Sequence, residues 1–517
     1  MTRTRHNCTG MPRMGNKPSQ ERQEKNTMQA TYRARPGMRP LLCAAAAAAL
    51  LAGCSFIPTY ERPAAPVPAA YPAAGATAPA GARAAADIDW REYFADPRLQ
   101  RLIALALENN RDLRVAALNI EQARAQFQIQ RAGQFPTVNA AVNASRQPST
   151  TTGQYVNNYQ VGLAVSAWEI DFFGRIAALK EQALAQYFAT EEARRATQIS
   201  LVASVASGWF NLLADEELLD ISRRTLQTRD ESVHLTKLRL ENGVSSELDY
   251  SQAQGLAQAA RATFAQQQRQ RLQDENALAL LLGQPLPQEI AATLDARTRL
   301  ADAPAMPSLP AGLPSDLLVR RPDIRQAEQQ LVAANANIGA ARATFFPRIS
   351  LTASAGTVSN ELSGLFKGGS WAFSLAPQLA LPIFDGGRNQ ATLDSARVGR
   401  DIAVAQYEKS IQTAFREVSD ALAGQATLGE QFAAQRAQAT ADAKRFELSD
   451  LRYRNGVASY LDLLDAQRSL FTSEQLVVQT RLLQLQNQVA LYKVLGGGWT
   501  AAQEAPVPGG GTAAPNS

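Results

Sequence analysis

The chain has 517 residues, 45% of them hydrophobic but only 7% aromatic, and a formal net charge of +5. That charge is local: nine of the 52 Lys and Arg but only two of the 47 Asp and Glu fall in residues 1–53, which leaves 43 basic against 45 acidic residues beyond them. A nucleic-acid interface loses its main electrostatic support, because no basic excess remains to neutralise phosphates. Ala, Gln and Leu dominate instead, side chains that lose little freedom in long helices.

The N-terminal stretch Met38–Cys54, "MRPLLCAAAAAALLAGC", joins basic residues, a short apolar run and a small-residue end, the pattern of a signal peptide. The run Leu41–Ala52 is too short to span a bilayer, which takes about 20 apolar residues. Its end, "LAGC", resembles a bacterial lipoprotein cleavage box. Cys54 would then become the first residue of the mature chain and carry an S-diacylglycerol and an N-acyl group. No Cys follows it, so no disulfide is possible after processing. Residues 1–53 read as an upstream extension and signal, with translation starting at Met1, Met28 or Met38. Residues 54–90 read as the lipidated Cys and a Pro/Ala-rich tether.

Two matching halves follow, a duplication. "RDLRVAALNIEQARAQFQIQRAGQFPTV" (Arg111–Val138) aligns with "PDIRQAEQQLVAANANIGAARATFFPRI" (Pro322–Ile349) at an offset of 211. From "FGR" (Phe173–Arg175) and "GGR" (Gly386–Arg388) the offset is 213, and it holds to "LLG" (Leu281–Gly283) and "VLG" (Val494–Gly496). The spacing gives a first repeat over 91–283, a Pro-rich connector over 284–317, a second repeat over 318–497 and a tail over 498–517.

Each half predicts a helix, Leu99–Gly133 or Asp323–Thr344, that ends before Phe-Pro, where proline disfavours further helix. Two alternating stretches come next: Thr137–Ser145 and Tyr159–Trp168, then Arg348–Gly356 and Trp371–Leu381 in the second half. Their period of two marks strands. Proline-free segments follow, from about Arg175 to Asn242 and Arg388 to Asn455, predicting helices of about 100 Å at 1.5 Å per residue. Each turns at an Asn-Gly-Val motif and returns as a shorter helix. Asn242-Gly243 and Asn455-Gly456 can stop a helix with Gly in the left-handed position. Ser246-x-x-Asp249 and Ser459-x-x-Asp462 read as capping boxes that restart it.

The strands have the length of tilted membrane β-strands and are flanked by aromatics such as Phe135, Trp168, Phe346 and Trp371. Four strands cannot close a barrel, and open edges are not tolerated in lipid. In the outer membrane two or more copies must therefore share one barrel; a soluble sheet packed on helices is the alternative.

On "LPSDLLVRRPDIRQAEQQLVAANANIGAARATFFPRISL" (Leu313–Leu351), the Gly-Arg landmarks and the paired "NGV…LD" turns, the chain resembles the TolC/OprM-like outer-membrane factors, in their lipoprotein drug-efflux (NodT) branch. The resemblance covers residues 54–499. It implies a mainly α fold with a membrane β-barrel: duplicated helical hairpins forming an α-barrel tunnel, and four strands per subunit in a shared twelve-stranded barrel. It also implies a homotrimer lipid-anchored in the outer membrane, working with a periplasmic adaptor (membrane fusion) protein and an inner-membrane RND-type pump. The connector and the stretch after Leu495 would belt the tunnel.

Little in the sequence could carry catalysis, and no enzyme, cofactor or metal is expected beyond the lipid. His234 is the one histidine after residue 54 and reads as a structural or surface residue rather than a ligand; no P-loop, Cys/His metal spacing or nucleophile elbow occurs. The acids at the turns are the candidates. Asp462 and Asp465 share a helix face, and Asp465 stands where the first half has Gln252. The resemblance implies that this pair constricts the tunnel entrance. It also matches Tyr453 and Asp249 to links between helices, while the Arg of those links falls on Ala458. Asp420, in "FREVSDALA", is the rival constriction. Gly243, Val244, Ser245, Gly456, Val457 and Ser459 would face the adaptor. The expected function is the exit duct of a tripartite efflux pump; a type I secretion channel and a pore-free coiled-coil scaffold remain the alternatives.

Overall fold

The computed structural model describes residues 55–71, 83–151, 153–294, 299–310 and 314–499. The proposed acylation residue Cys54 and most of the tail lie outside the described residues.

One element order runs twice. In the first half come α1 (Pro97–Asn109), α2 (Arg111–Ala132), β1 (Val138–Pro148), β2 (Tyr155–Ile170), α3 (Arg175–Glu241) and α4 (Glu247–Leu282). The second half has α5 (Pro322–Ala343), β3 (Arg348–Ser359), β4 (Trp371–Ala380), α6 (Arg388–Arg454) and α7 (Tyr460–Val494). The helices α3 and α6 have 67 residues each, about 100 Å at 1.5 Å per residue.

The single helix expected over Leu99–Gly133 is two. Asn110 breaks it in an extended conformation, its Oδ1 accepting from Leu113 N at 2.9 Å as an N-cap, while its Nδ2 donates to Leu281 O at 2.9 Å. A short amide can cap a new helix and reach a distant carbonyl at once. The first hairpin is also longer than expected. β1 and β2 continue past the apolar band through Arg146↔Asn157 to Pro148↔Tyr155, because ladder pairing continues where the side chains turn polar.

The four strands form one antiparallel sheet in the order β1-β2-β3-β4, joined across the halves by β2 and β3. Gly162 and Gly356 face each other at that seam, where a Cβ on either would meet the opposing backbone. β1 and β4 are the edges, each paired on one side only among the described residues, and every residue of β4 is exposed.

The main core sits midway along the long helices. Trp209 and Leu213 of α3, Tyr407 and Ile411 of α6, and Tyr492 of α7 pack with Trp90, Tyr93, Phe94, Leu102 and Ile103 from the N-terminal side. The connector supplies Leu286, Ile290, Leu300, Leu309 and Leu317. Tyr93 stacks on Tyr492 with centroids 4.0 Å apart, and Trp209 Nε1 donates to Asp96 Oδ2 at 3.2 Å.

Residues 56–62 form a strap along α5. Phe56 stacks on Phe346 at 4.5 Å, Asn335 Nδ2 donates to Pro58 O at 2.7 Å, and Arg62 pairs with Glu328 at 2.7 Å. Ile57 lies so close to Gly339 that a Cβ there would be 2.6 Å from it. The strap, α3 and α6 bury much of α5, whereas α2 buries only Leu113.

Candidate gate and docking tips

The Asn-Gly-Val turns are a helix stop followed by a helix start. Gly243 and Gly456 take φ of 70° and 72°. Val244 N donates to Arg239 O at 2.8 Å and Gly243 N to Leu240 O at 2.9 Å; Val457 and Gly456 repeat this on Arg452 and Tyr453 at 2.9 and 3.0 Å. This is the Schellman pattern, in which Gly avoids the Cβ penalty of the left-handed region. Ser246 with Asp249, and Ser459 with Asp462, then make complete capping boxes. Asp249 Oδ2 also accepts from Ser245 Oγ at 3.2 Å. The Ser246 hydroxyl, more than any other group, holds the Asp249 carboxyl below its ordinary range.

Around these turns apolar side chains lie bare in matched sets. Leu235, Leu238, Val244 and Leu248 are exposed on the first tip, and Leu448, Leu451, Val457 and Leu461 on the second, each pair 213 residues apart. Large exposed apolar groups gathered in one place mark contact surfaces.

Asp462 and Asp465 are exposed near the second tip, but they are held differently. Asp462 belongs to the capping box, accepting from Ser459 Oγ at 2.8 Å. Asp465 Oδ2 takes the Arg445 guanidinium of α6, whose Nη1 reaches Ser469 Oγ at 3.3 Å. At the first tip the positions of Arg445 and Asp465 are Ser232 and Gln252. The ion pair therefore belongs to the second hairpin as a unit. Asp465 is legible in the sequence; Arg445, twenty residues upstream, belongs to no motif, although the same offset separates it from Ser232.

Tyr453 is only 5% exposed and packs with Tyr460, Leu463, Leu464 and Ala253, so it joins the second hairpin to the first. Arg239 lies 4.5 Å over its ring. Among the described residues the hydrogen bonds of Asp249 stay within its own turn. Asp420 is exposed 3.7 Å from Arg416, at the level of the buried Val418 and Ala421. It stands 35 residues before Asn455, about 50 Å along the helix from the tip. Asp420 and the Asp462–Asp465 pair are thus separate places, not parts of one site. His234 is exposed on α3.

The family described as "Outer membrane efflux protein" matches residues 102–284 and 313–497, one segment in each half. The chain belongs to this family. It is 49% identical over 469 residues to TtgC of Pseudomonas putida, named a probable efflux pump outer membrane protein, covering 89% of this chain and 96% of that one. It is 45% identical to the outer membrane protein OprJ of Pseudomonas aeruginosa over 468 residues, 89% and 96% of the two chains. The solved open state of the MtrE outer membrane channel of Neisseria gonorrhoeae superposes with a TM-score of 0.77 at 42% identity, over 86% of this chain and 98% of that one. The family's fold is a helical tunnel joined to a membrane β-barrel, and its place is the outer membrane. No helix among the described residues is long and apolar enough to cross a membrane; the exposed sheet is the element suited to it.

Proposed function

We propose that this chain is the exit duct of a tripartite efflux pump, a passive conduit for small toxic compounds gated at its periplasmic tip. The observation that carries this is the four-stranded sheet, open along the outer edges of β1 and β4 among the described residues, set on helices far longer than a single core needs. Unpaired edges are costly in lipid. Three copies meeting edge to edge would close a twelve-stranded barrel and bring six long hairpins together as a tunnel. The relatives' names speak of efflux, which favours this reading over a protein-secretion channel.

The bare apolar tips suit a periplasmic adaptor, which would couple the duct to an inner-membrane RND-type pump supplying the energy. The acylated Cys54 would fix each subunit to lipid; mass spectrometry of the N-terminal peptide, with Cys54→Ser as the control, checks for the acyl groups. The exposed position of Asp462 and Asp465 near the second tip supports a gate there. Asp462 and Asp465 of three subunits would set a ring of carboxylates at the entrance, with Asp465 restrained by Arg445. Single-channel recording in planar bilayers tests duct and gate together. The native protein should conduct poorly, and Asp462→Ala with Asp465→Ala should raise its conductance several-fold and weaken block by trivalent cations. A native chain that never conducts sinks the duct; the same gain from Asp420→Ala alone moves the constriction to that level.

A further inference from the structure

Between α3, α6 and α7 lies a cavity of about 360 Å³. Its walls include Arg224 and Arg229 of α3, Phe446 of α6, and Gln467, Phe471 and Glu474 of α7. Such a volume is at the small end of ligand sites.

The cavity has one uncompensated cation. Arg224 is matched by Asp220 at 3.1 Å and by Glu474 at 3.9 Å. Glu231, at the exposed rim, accepts from Gln227 Nε2 at 3.1 Å. Arg229 is only 5% exposed, yet it meets no carboxylate within ion-pair distance among the described residues; its Nη1 donates to the neutral Gln467 Oε1. The nearby charged and titratable groups do not neutralise it: Arg468 adds a like charge, and Tyr460 is a phenol. Burial, the largest influence, pulls the Arg229 pKa down, as expected of a cation taken from water without a counter-charge. A buried guanidinium with unused donors is costly unless an anion completes it. Helix packing does not demand a cation at this height, because the matching position of the second half is Asp442.

We propose that the Arg229 cavity is a binding site for a small aromatic carboxylate. The planar guanidinium can take both carboxylate oxygens through parallel hydrogen bonds, while Phe446, Leu470 and Phe471 offer the ring an apolar bed. The ligand would bridge α3 and α7, which belong to different hairpins, and so hold the two hairpins in their present register. This site stands whether or not the protein conducts.

The test uses the full chain purified in detergent, with 4-fluorobenzoate as the probe and its fluorine resonance as the readout. Saturable broadening is expected, competed by unlabelled benzoate. The neutral 4-fluorobenzamide should bind at least tenfold more weakly, and Arg229→Gln should cost at least tenfold in affinity for the acid. Arg229→Lys should retain part of it, since the charge stays while the fork is lost. Equal binding of acid and amide overturns the proposal, as does undiminished binding of the acid to a folded Arg229→Gln protein. If that variant fails to fold, the acid-to-amide comparison on the native chain and the loss expected in Phe471→Ala decide it. A native chain that shows no saturable binding of the acid also overturns it.

Discussion

Each half closes on itself with the same joint, built from different residues. In the first, Asn110 Nδ2 donates to Leu281 O at 2.9 Å; in the second, Arg321 Nη1 donates to Val494 O at 3.2 Å. Asn110 and Arg321 occupy the same repeat position, and so do Leu281 and Val494. Beside each joint a glycine with positive φ lies under a backbone carbonyl: Gly283 under Asn109 O and Gly496 under Arg320 O. The duplicated geometry is thus kept while the side chains that serve it change. Elsewhere the halves part company. The strap covers α5 through Glu328, Asn335 and Gly339, which α2 replaces with Ala117, Arg124 and Gln128. The Arg445–Asp465 pair stands where the first tip has Ser232 and Gln252. Turns and joints are shared because folding needs them twice, whereas the differences mark what only one half does.

The largest test of this contrast lies at the joints. A Cβ on Gly283 would sit 2.5 Å from Asn109 O, against 3.0 Å from Arg320 O for Gly496. Both substitutions add the left-handed penalty of about 1–2 kcal/mol, and overpacking adds about 1–3 kcal/mol more chiefly at Gly283. Gly283→Ala should therefore lower the thermal midpoint of the helical circular-dichroism signal clearly more than Gly496→Ala. Equal shifts would mean that the two joints are not under different pressure.

A middle-sized effect is expected from borrowing one residue across the halves. Asp215, 6% exposed on α3, has its pKa pushed up to about 8 by burial first and then by Asp274; the second half has Leu428 at this position. The folded carboxyl holds its proton more tightly than the unfolded one, so the native state binds more protons between the two pKa values. Its contribution is full below the ordinary value of 3.8 and is lost as pH rises through about 8. Asp215→Leu should accordingly raise the melting temperature more at pH 9 than at pH 5. A gain independent of pH would show that Asp215 ionises there without penalty.

The smallest effect on stability is expected at the tip. The Arg445–Asp465 pair is exposed, and such pairs are worth about 0–1 kcal/mol. Arg445→Ser, which restores the first tip's residue, should barely move the melting temperature but should free Asp465 and deepen trivalent-cation block of the channel. Shallower block would mean that Arg445 is not what masks Asp465.

What the sequence could disclose followed the range of the interactions. The two turns were legible because Asn-Gly-Val and Ser-x-x-Asp act within a few residues, and both capping boxes are present. The strands and long helices were legible from their periods and the missing prolines. The break at Asn110 was not, because the carbonyl that rewards it lies 171 residues away. Arg445 needed the two tips to be compared over their whole length rather than at the motif. The burial of Tyr453 against Ala253 depends on two hairpins meeting, which no local pattern encodes.

The strap has one more property. From its contact with Arg342 at Phe56 to its contact with Glu328 at Arg62, it follows fourteen residues of helix, about 21 Å. Six residue steps of fully extended chain reach about 20–22 Å. An extended strap thus spans that stretch along the helix. It works as a ruler: dropping one residue between Phe56 and Arg62 would take about 3.5 Å from its reach, which the Arg62 and Arg342 side chains would have to make up. Phe56 is thereby held at one height, next to Phe346, where helix gives way to strand.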